Sequence, residues 1–316
     1  FIGLGKTDGM HGTHVAGIIA ADDQKSNLLG AAPKANLMSI RACSGISCSD
    51  SAIIRGLYKA FYNGLVIPDV VNISLGSHEE YQRGVYSHLF NDLSAKFGTI
   101  FFVSASNAGP GFRTLNHFGN TGAVVMVGAN VSAQTLKDQY NLPEGTEVQA
   151  ENLLFVSSLG PSYTGEMKPN IVAPGAAISA TPVADGYMSQ ANGTSMSSPL
   201  AAGAFASVLA KLKAQQPAQF NIFTEMRAYH QSMGTKAKTS LLPYVYAMRD
   251  ALQNAAFEQA HLTRVQQGYG LMQAGKTFEI LSTYITELQA GQRDYFEVVI
   301  NDDKKSYDRS GKMKAK

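Results

Sequence analysis

The 316-residue sequence lacks the features that mark several specialised classes of protein. Its net charge is only +2, and its basic residues are scattered until the last few positions. Such a balance gives no electrostatic footprint for nucleic acid or for an anionic membrane. A run of about 18 apolar residues is also missing, so we expect no transmembrane helix. We therefore predict no nucleic-acid partner and no membrane partner.

Cysteine is scarce, since Cys43 and Cys48 are the only two. They lie in a Ser/Gly-rich loop, where they can either close a small disulfide or remain two thiols. Because no histidine or further cysteine lies nearby, a zinc site is not indicated. The first residues, Phe-Ile-Gly-Leu-Gly, contain neither an initiator methionine nor a secretory signal, and we expect the natural chain to extend upstream. The compartment, exported or cytoplasmic, stays open.

The composition is that of a packed globular core, with 45% hydrophobic and 9% aromatic residues. Strand-like runs alternate with helix-like segments, and each run ends in small polar residues. This alternation predicts a doubly wound α/β fold, with a mostly parallel sheet and helices on both faces. Functional residues should then collect at the carboxyl ends of the strands.

The predicted elements follow from these patterns. Strands are expected over 36–41, 69–76, 98–103, 124–129 and 295–300. Helices are expected over 11–21, 51–63, 81–97, 195–212, 223–233, 245–260 and 274–281. We assign residues 1–285 to one domain and residues 286–316 to a tail or to the start of a further C-terminal domain.

Ser195 stands where a glycine-containing loop turns into an apolar helix of small residues. Such a serine can be a nucleophile, although the same pattern also fits a helix cap followed by tight packing. His11 lies between glycines at the start of another helix, where the helix N-terminus favours the neutral imidazole that a general base needs. A capping role is the alternative for a single histidine.

Nucleophilic acyl transfer needs a serine, an imidazole, a group that orients the imidazole, and donors for the oxyanion. Ser195, His11 and Asn107 each lie at a strand end or a helix start, on what should be one edge of the sheet. The sequence therefore supplies three of the four parts.

Three motifs resemble those of the subtilisin-like serine peptidases. Residues 11–17 are similar to the histidine motif of that family, residues 193–199 to its serine motif, and residues 106–110 to its oxyanion segment. The resemblance implies that Ser195 is the nucleophile, His11 its base, and Asn107 an oxyanion donor together with the Ser195 amide. Within the family the chain most resembles the tripeptidyl peptidase II type. That finer likeness is carried by the segments 127–132, 157–161 and 267–273.

The resemblance also implies where a peptide substrate binds. In the family, the segment that corresponds to residues 72–76 pairs with the bound peptide as a strand. The implied substrate-binding residues are Ser74, Leu75, Gly76, Ser104, Ala105 and Ser106. Ser106 stands where the family commonly has glycine, which implies a smaller or more polar primary pocket.

Two parts of the family pattern are unsettled. Asp8 is too near His11 in sequence to orient its ring, so the resemblance implies a catalytic aspartate upstream of this chain. The loop over 22–30 resembles the family's calcium loop in position, and Asp22, Asp23 and Asn27 offer oxygen ligands. Lys25 lies among them, so we expect no cofactor and keep calcium as the alternative.

The sequence thus predicts a serine peptidase that acts on peptide or protein substrates, as an endopeptidase or a tripeptidyl-peptidase. Because the orienting aspartate is missing from the chain, the alternative is a catalytically silent binding or scaffold protein with the subtilisin fold. A homo-oligomer is compatible with either.

Overall fold

The computed structural model describes residues 9–44, 47–63, 66–76, 85–119, 121–140, 142–143, 145–163, 165–182, 187–233 and 240–295. Asp8, residues 81–84 of one predicted helix, and residues 296–300 of the last predicted strand lie outside these ranges. None of the described helices combines the length and the apolarity needed to cross a bilayer.

Helices and strands alternate through the first two thirds of the chain, and helices dominate the last third. The helices are α1 His11–Ala20, α2 Asp50–Tyr62, α3 Val85–Phe97, α4 Ala133–Tyr140, α5 Thr194–Gln215, α6 Pro217–Met233, α7 Leu242–Ala255, α8 Arg264–Gln267 and α9 Ala274–Gln289. The strands are β1 Asp22–Asp23, β2 Leu28–Leu29, β3 Cys43–Ser44, β4 Ser47–Cys48, β5 Val70–Ile73, β6 Ile100–Ser104, β7 Val124–Ser132, β8 Glu151–Leu153, β9 Ile171–Pro174, β10 Ala176–Ala180 and β11 Met188–Asn192.

The central sheet is mostly parallel, as the alternating pattern predicts. Strands β5, β6, β7 and β9 run in the same direction, and β8 pairs antiparallel with residues 130–132 at the carboxyl end of β7. Every residue of β6 is buried, because both faces of the sheet are covered. A strand that is covered on both faces consists of consecutive apolar residues, and for this reason the sequence alone predicts β6.

Two adjacent phenylalanines in β6 show how the sheet is covered. Phe101 packs with α2 and α3 on one face, with its ring 4.7 Å from that of Phe90. Phe102 points to the opposite face and packs against α5, with its ring 5.7 Å from that of Phe205. Side chains alternate along a strand, so these neighbours belong to two separate cores. The doubly wound α/β prediction is confirmed.

The predicted strand over 36–41 is wrong. This segment pairs with no strand among the described residues, and the side chains of Leu37, Met38 and Ile40 are exposed. Its apolar residues predict a strand, but a strand also needs a neighbour to pair with. Of the two possibilities for the cysteines, the structure has the disulfide, since Cys43 and Cys48 pair across the β3–β4 hairpin.

Candidate active site

The three predicted catalytic residues lie at the starts or ends of elements that meet at one edge of the sheet. His11 is the first residue of α1, Ser195 is the second residue of α5, and Asn107 follows β6. Helices α1 and α5 pack closely, because a Cβ on Gly203 would lie 3.2 Å from the Cα of Ile19. Gly203 follows Ser195 by eight residues, and Ile19 follows His11 by eight.

Helices α1 and α5 run in the same direction, so their N-termini lie side by side. Contacts progress along both in the same order, from His14 with Ser189, five residues before α5, to Ser207 with Ala31, whose N–H donates to Ile18 near the end of α1. Because a helix rises a constant distance per residue, equal offsets from one contact put both starts side by side. His11 and Ser195 therefore occupy neighbouring helix N-termini, although the described hydrogen bonds do not include one between them.

The two histidines of the motif have different surroundings. His14 is fully buried, and its Nε2 donates to the carbonyl oxygen of Ser189 at 2.9 Å. The hydroxyl of Ser179 donates to the carbonyl oxygen of His14 at 2.8 Å. His11 is exposed. His14 thus fixes α1 against the β10–β11 hairpin, and His11 is the histidine that a substrate can reach.

The pKa of His11 is lowered from its ordinary value of 6.5. The protein atoms around the ring desolvate its charged form, and the nearby His14 lowers the pKa further. Within the described ranges, no carboxylate is bonded to the ring, and Asp8 lies outside them. The imidazole is therefore neutral near pH 7, as a general base must be.

Asn107 is held in one orientation by the residue that precedes Ser195. Its Oδ1 accepts two hydrogen bonds from Thr194, one from the backbone N–H at 2.9 Å and one from the hydroxyl at 3.0 Å. Gly193 makes the approach possible, because a Cβ there would lie 3.1 Å from the Asn107 amide. With its oxygen fixed in this way, the Nδ2 group of Asn107 is left to donate elsewhere.

The start of α5 leaves one further donor open. The first N–H groups of a helix have no partner within the helix. At α5, Thr194 N–H goes to Asn107, while the N–H groups of Met196 and Ser197 go to the carbonyl of Gly193. Among the described hydrogen bonds, the N–H of Ser195 has no acceptor. Within the described hydrogen bonds, the Ser195 N–H and the Asn107 Nδ2 are thus two donors without an acceptor at the start of α5, an arrangement suited to an oxyanion.

A proline inside α5 explains a second feature of the site. Pro199 has no N–H, so the carbonyl of Ser195, four residues earlier, loses its usual helical donor. The hydroxyl of Ser74 replaces it at 3.0 Å. Asn72 donates to that hydroxyl at 3.0 Å and accepts from Ser198 at 2.7 Å. This chain of hydrogen bonds ties the end of β5 to the backbone of Ser195.

Replacing Ser74 by alanine should therefore destabilise the fold. The Ser195 carbonyl would lose its only described donor, and an unsatisfied buried polar group costs about 1–3 kcal/mol. We expect the free energy of unfolding, measured by denaturant titration, to fall by about that amount. Ser232→Ala, at an exposed serine of α6, is the matched control and should leave it unchanged. An unchanged free energy of unfolding in Ser74→Ala would contradict the role of this hydroxyl.

The other residues predicted to bind substrate are brought together by Asn116. Its Nδ2 donates to the carbonyl of Leu75 at 2.9 Å and to that of Ser104 at 3.1 Å, and its side chain fills the space beside Gly76. The segments 74–76 and 104–106 are thus adjacent. Ala105 is fully buried, with its N–H bonded to Val127 and its carbonyl to Asn116.

Ser106 has a backbone φ of 90°, in the left-handed region that favours glycine. The backbone of Ser106 thus has a conformation that glycine adopts with less strain. Its carbonyl accepts from the N–H of Ser158 at 3.0 Å, which holds the turn in place.

The residues of the proposed calcium loop do not fit a calcium site. Asp22 pairs with Lys34 at 3.1 Å, and Asp23 accepts from the Ser26 hydroxyl at 2.6 Å and from the N–H of Lys25 at 3.0 Å. Both carboxylates are thus used within the loop or by a lysine. The described ranges contain no cluster of three or more side chains able to hold a metal ion.

Sequence reasoning missed the residues that hold the site together: Asn72, Asn116, Thr194 and Ser198. Pro199 was one available signal, because a proline early in a helix frees a carbonyl that another group must satisfy. Nothing in the pattern identifies which residue supplies the donor, since β5 is 120 or more residues earlier in the chain.

Comparison with known proteins identifies the family of the chain. The sequence-family model of peptidase S8, the subtilase family, matches residues 4–270. Tripeptidyl-peptidase 2 of Drosophila melanogaster is 28% identical over 284 residues, covering 87% of this chain and 18% of that protein. Subtilisin DY of Bacillus licheniformis is 33% identical over 212 residues, covering 65% of each.

A solved structure is also similar to this chain. The crystal structure of tripeptidyl peptidase 2 superposes with a TM-score of 0.61 at 26% identity, covering 87% of this chain and 19% of that one. The chain spans about a fifth of the length of the tripeptidyl-peptidase relatives that it matches. Because the family match extends over most of the sequence, the chain belongs to the subtilase family of serine-type peptidases.

Proposed function

We propose that this chain hydrolyses peptide bonds in peptide or protein substrates, with Ser195 as nucleophile and His11 as base. The observation that supports the proposal is the pair of donors at the start of α5, the Ser195 N–H and the Asn107 Nδ2, which have no acceptor among the described hydrogen bonds. The Oδ1 of Asn107 caps the first N–H of α5, and its Nδ2 is a donor of the kind that an acyl-transfer site requires for the oxyanion.

The reaction follows from these positions. The Ser195 oxygen bonds to the substrate carbonyl carbon while its proton passes to His11, and the two amide donors hold the negative carbonyl oxygen. The carbon–nitrogen bond then breaks as His11 returns the proton to the departing amine. Water repeats the sequence on the acyl-enzyme and releases the acid. The group that orients His11 is not among the described residues.

A fluorophosphonate probe tests the function directly. It phosphonylates an activated serine, so we expect the full-length protein to be labelled at Ser195, located by peptide mass spectrometry. Labelling should be lost in His11→Ala, because the serine then has no base. A folded protein that takes no label would instead be the catalytically silent scaffold.

The pH dependence of kcat/KM should report the His11 pKa. The neutral imidazole is the active form, so kcat/KM rises with pH as His11 loses its proton and is lost as pH falls through its pKa. Because burial and His14 lower the pKa of His11 in the described residues, the 316-residue chain should have the midpoint of its acidic limb below pH 6.5. A carboxylate upstream of this chain that orients the ring would move that midpoint upward in the full-length protein. Steady-state assays of the 316-residue chain measure the midpoint, with His88→Gln on α3 as the matched histidine control, and a midpoint above pH 6.5 in that chain would contradict the described environment of His11.

A further inference from the structure

The residues on both sides of Asn107 are hydrogen-bonded to one buried serine, Ser158. The N–H of Ser158 donates to the carbonyl oxygen of Ser106 at 3.0 Å, and the hydroxyl of Ser158 accepts from the N–H of Ala108 at 3.0 Å. Ser158 is fully buried and lies 50 residues after Ala108 in the chain. One distant residue thus holds both of the peptide units that flank Asn107.

The backbone around Asn107 needs support from outside its own segment. Strand β6 ends at Ser104, and residues 106–108 belong to no helix or strand. The positive φ of Ser106 is a strained conformation for a residue with a side chain. Such a conformation persists only where the surrounding structure fixes it. The two bonds from Ser158 provide this support.

Ser158 can hold the turn because its own segment is anchored to the middle of the sheet. The N–H of Leu154 donates to the carbonyl oxygen of Ala129 at 2.8 Å, and the hydroxyl of Ser157 accepts from the N–H of Ala129 at 3.0 Å. Ala129 lies in β7, which is paired with β6 on one side and with β9 on the other. The position of Ser158 is therefore fixed by a strand that has little freedom to move.

The direction of the Asn107 amide depends on two separate supports. Thr194 holds the Oδ1 of the side chain, as described above, and Ser158 holds the backbone from which that side chain extends. A donor stabilises an oxyanion only within about 2.7–3.1 Å of it. A misplacement of about 1 Å, even one caused far from the reacting atoms, can lower a rate by about 10².

From these contacts we propose that Ser158 is a positioning residue for peptide hydrolysis, which directs the Nδ2 of Asn107 towards the oxyanion by fixing the peptide units on both sides of Asn107. The inference rests on the proposed peptidase function and adds a residue to its machinery. The alternative is that the Ser158 hydroxyl contributes only to stability, as any buried hydrogen bond does.

The neighbouring serine allows the two roles to be separated. Ser157 is also fully buried, and its hydroxyl also accepts a backbone N–H, but that N–H belongs to Ala129 and not to the Asn107 turn. Ser158→Ala and Ser157→Ala should therefore lower the free energy of unfolding by similar amounts. In the full-length protein we expect kcat to fall about tenfold in Ser158→Ala only, with KM nearly unchanged.

A double-mutant cycle tests whether Ser158 acts through Asn107. In the Asn107→Ala background the donor is already absent, so adding Ser158→Ala should lower kcat no further. Equal losses of kcat in Ser158→Ala and Ser157→Ala would overturn the proposal. A tenfold loss that persists in the Asn107→Ala background would also overturn it.

A measurement that needs no turnover separates this inference from the function on which it rests. Nuclear magnetic resonance of the same proteins, labelled with ¹⁵N-asparagine, gives the order parameter of the Asn107 carboxamide. We expect it to fall below about 0.6, the range of flexible groups, in Ser158→Ala and to stay unchanged in Ser157→Ala. An unchanged value in Ser158→Ala would overturn the proposal. If the value falls but the unsubstituted protein cleaves no peptide, Ser158 still positions Asn107 and the peptidase function falls.

Discussion

Ser195→Ala is expected to lower kcat for peptide hydrolysis by about 10⁶, the loss measured when a subtilisin loses its nucleophile. Without the hydroxyl no acyl-enzyme forms, and only the oxyanion donors and substrate binding continue to assist direct attack by water. Steady-state hydrolysis of a chromogenic peptide by the full-length protein measures the effect. KM should change little, since the hydroxyl contributes little to ground-state binding.

The matched control for this variant is Ser207→Ala, which removes an exposed serine hydroxyl from the same helix. It should retain the activity of the unchanged protein. Residual activity of Ser195→Ala within tenfold of the unchanged protein would show that another residue is the nucleophile.

Asn107→Ala is expected to lower kcat by about 10²–10³, as measured for the loss of one oxyanion donor in a subtilisin. The substrate carbonyl becomes negatively charged only in the transition state, so the lost hydrogen bond should appear in kcat and leave KM nearly unchanged. The variant also removes the acceptor of the two Thr194 bonds. Its free energy of unfolding is therefore measured beside its kinetics.

Thr194→Val is the matched variant for Asn107. It removes one of the two bonds that orient the carboxamide and leaves the amide donor itself in place. Its kcat should fall much less than that of Asn107→Ala. A large rise in KM with an unchanged kcat in Asn107→Ala would contradict the assigned role of the amide.

The sequence was most informative where local pattern and burial coincide. β6 is buried on both faces, and its apolar run predicts a strand whatever lies around it. The small residues after Ser195 predict a buried helix, because α5 packs against α1 with little room for a side chain at Gly203. His11 and Ser195 were identifiable since each lies in the first turn of a helix with a glycine within two residues.

The failures arise where structure depends on distant partners. Residues 36–41 have strand-like composition but no described neighbour to pair with. The β10–β11 hairpin was missed because its strands contain mainly small and polar residues with low strand propensity, and pairing between the strands fixes them. The bonds from Ser74 to Ser195 and from Thr194 to Asn107 join segments far apart in the chain, which no local pattern reveals.

The central claim, that Ser195 is acylated in a site prepared by His11 and Asn107, is tested most directly by pre-steady-state kinetics. An activated ester substrate mixed rapidly with the full-length protein should give a burst of product equal to the enzyme concentration. Mass spectrometry of the quenched reaction should then find the acyl group on Ser195. Turnover without a burst, or an acyl group on another residue, would contradict the account.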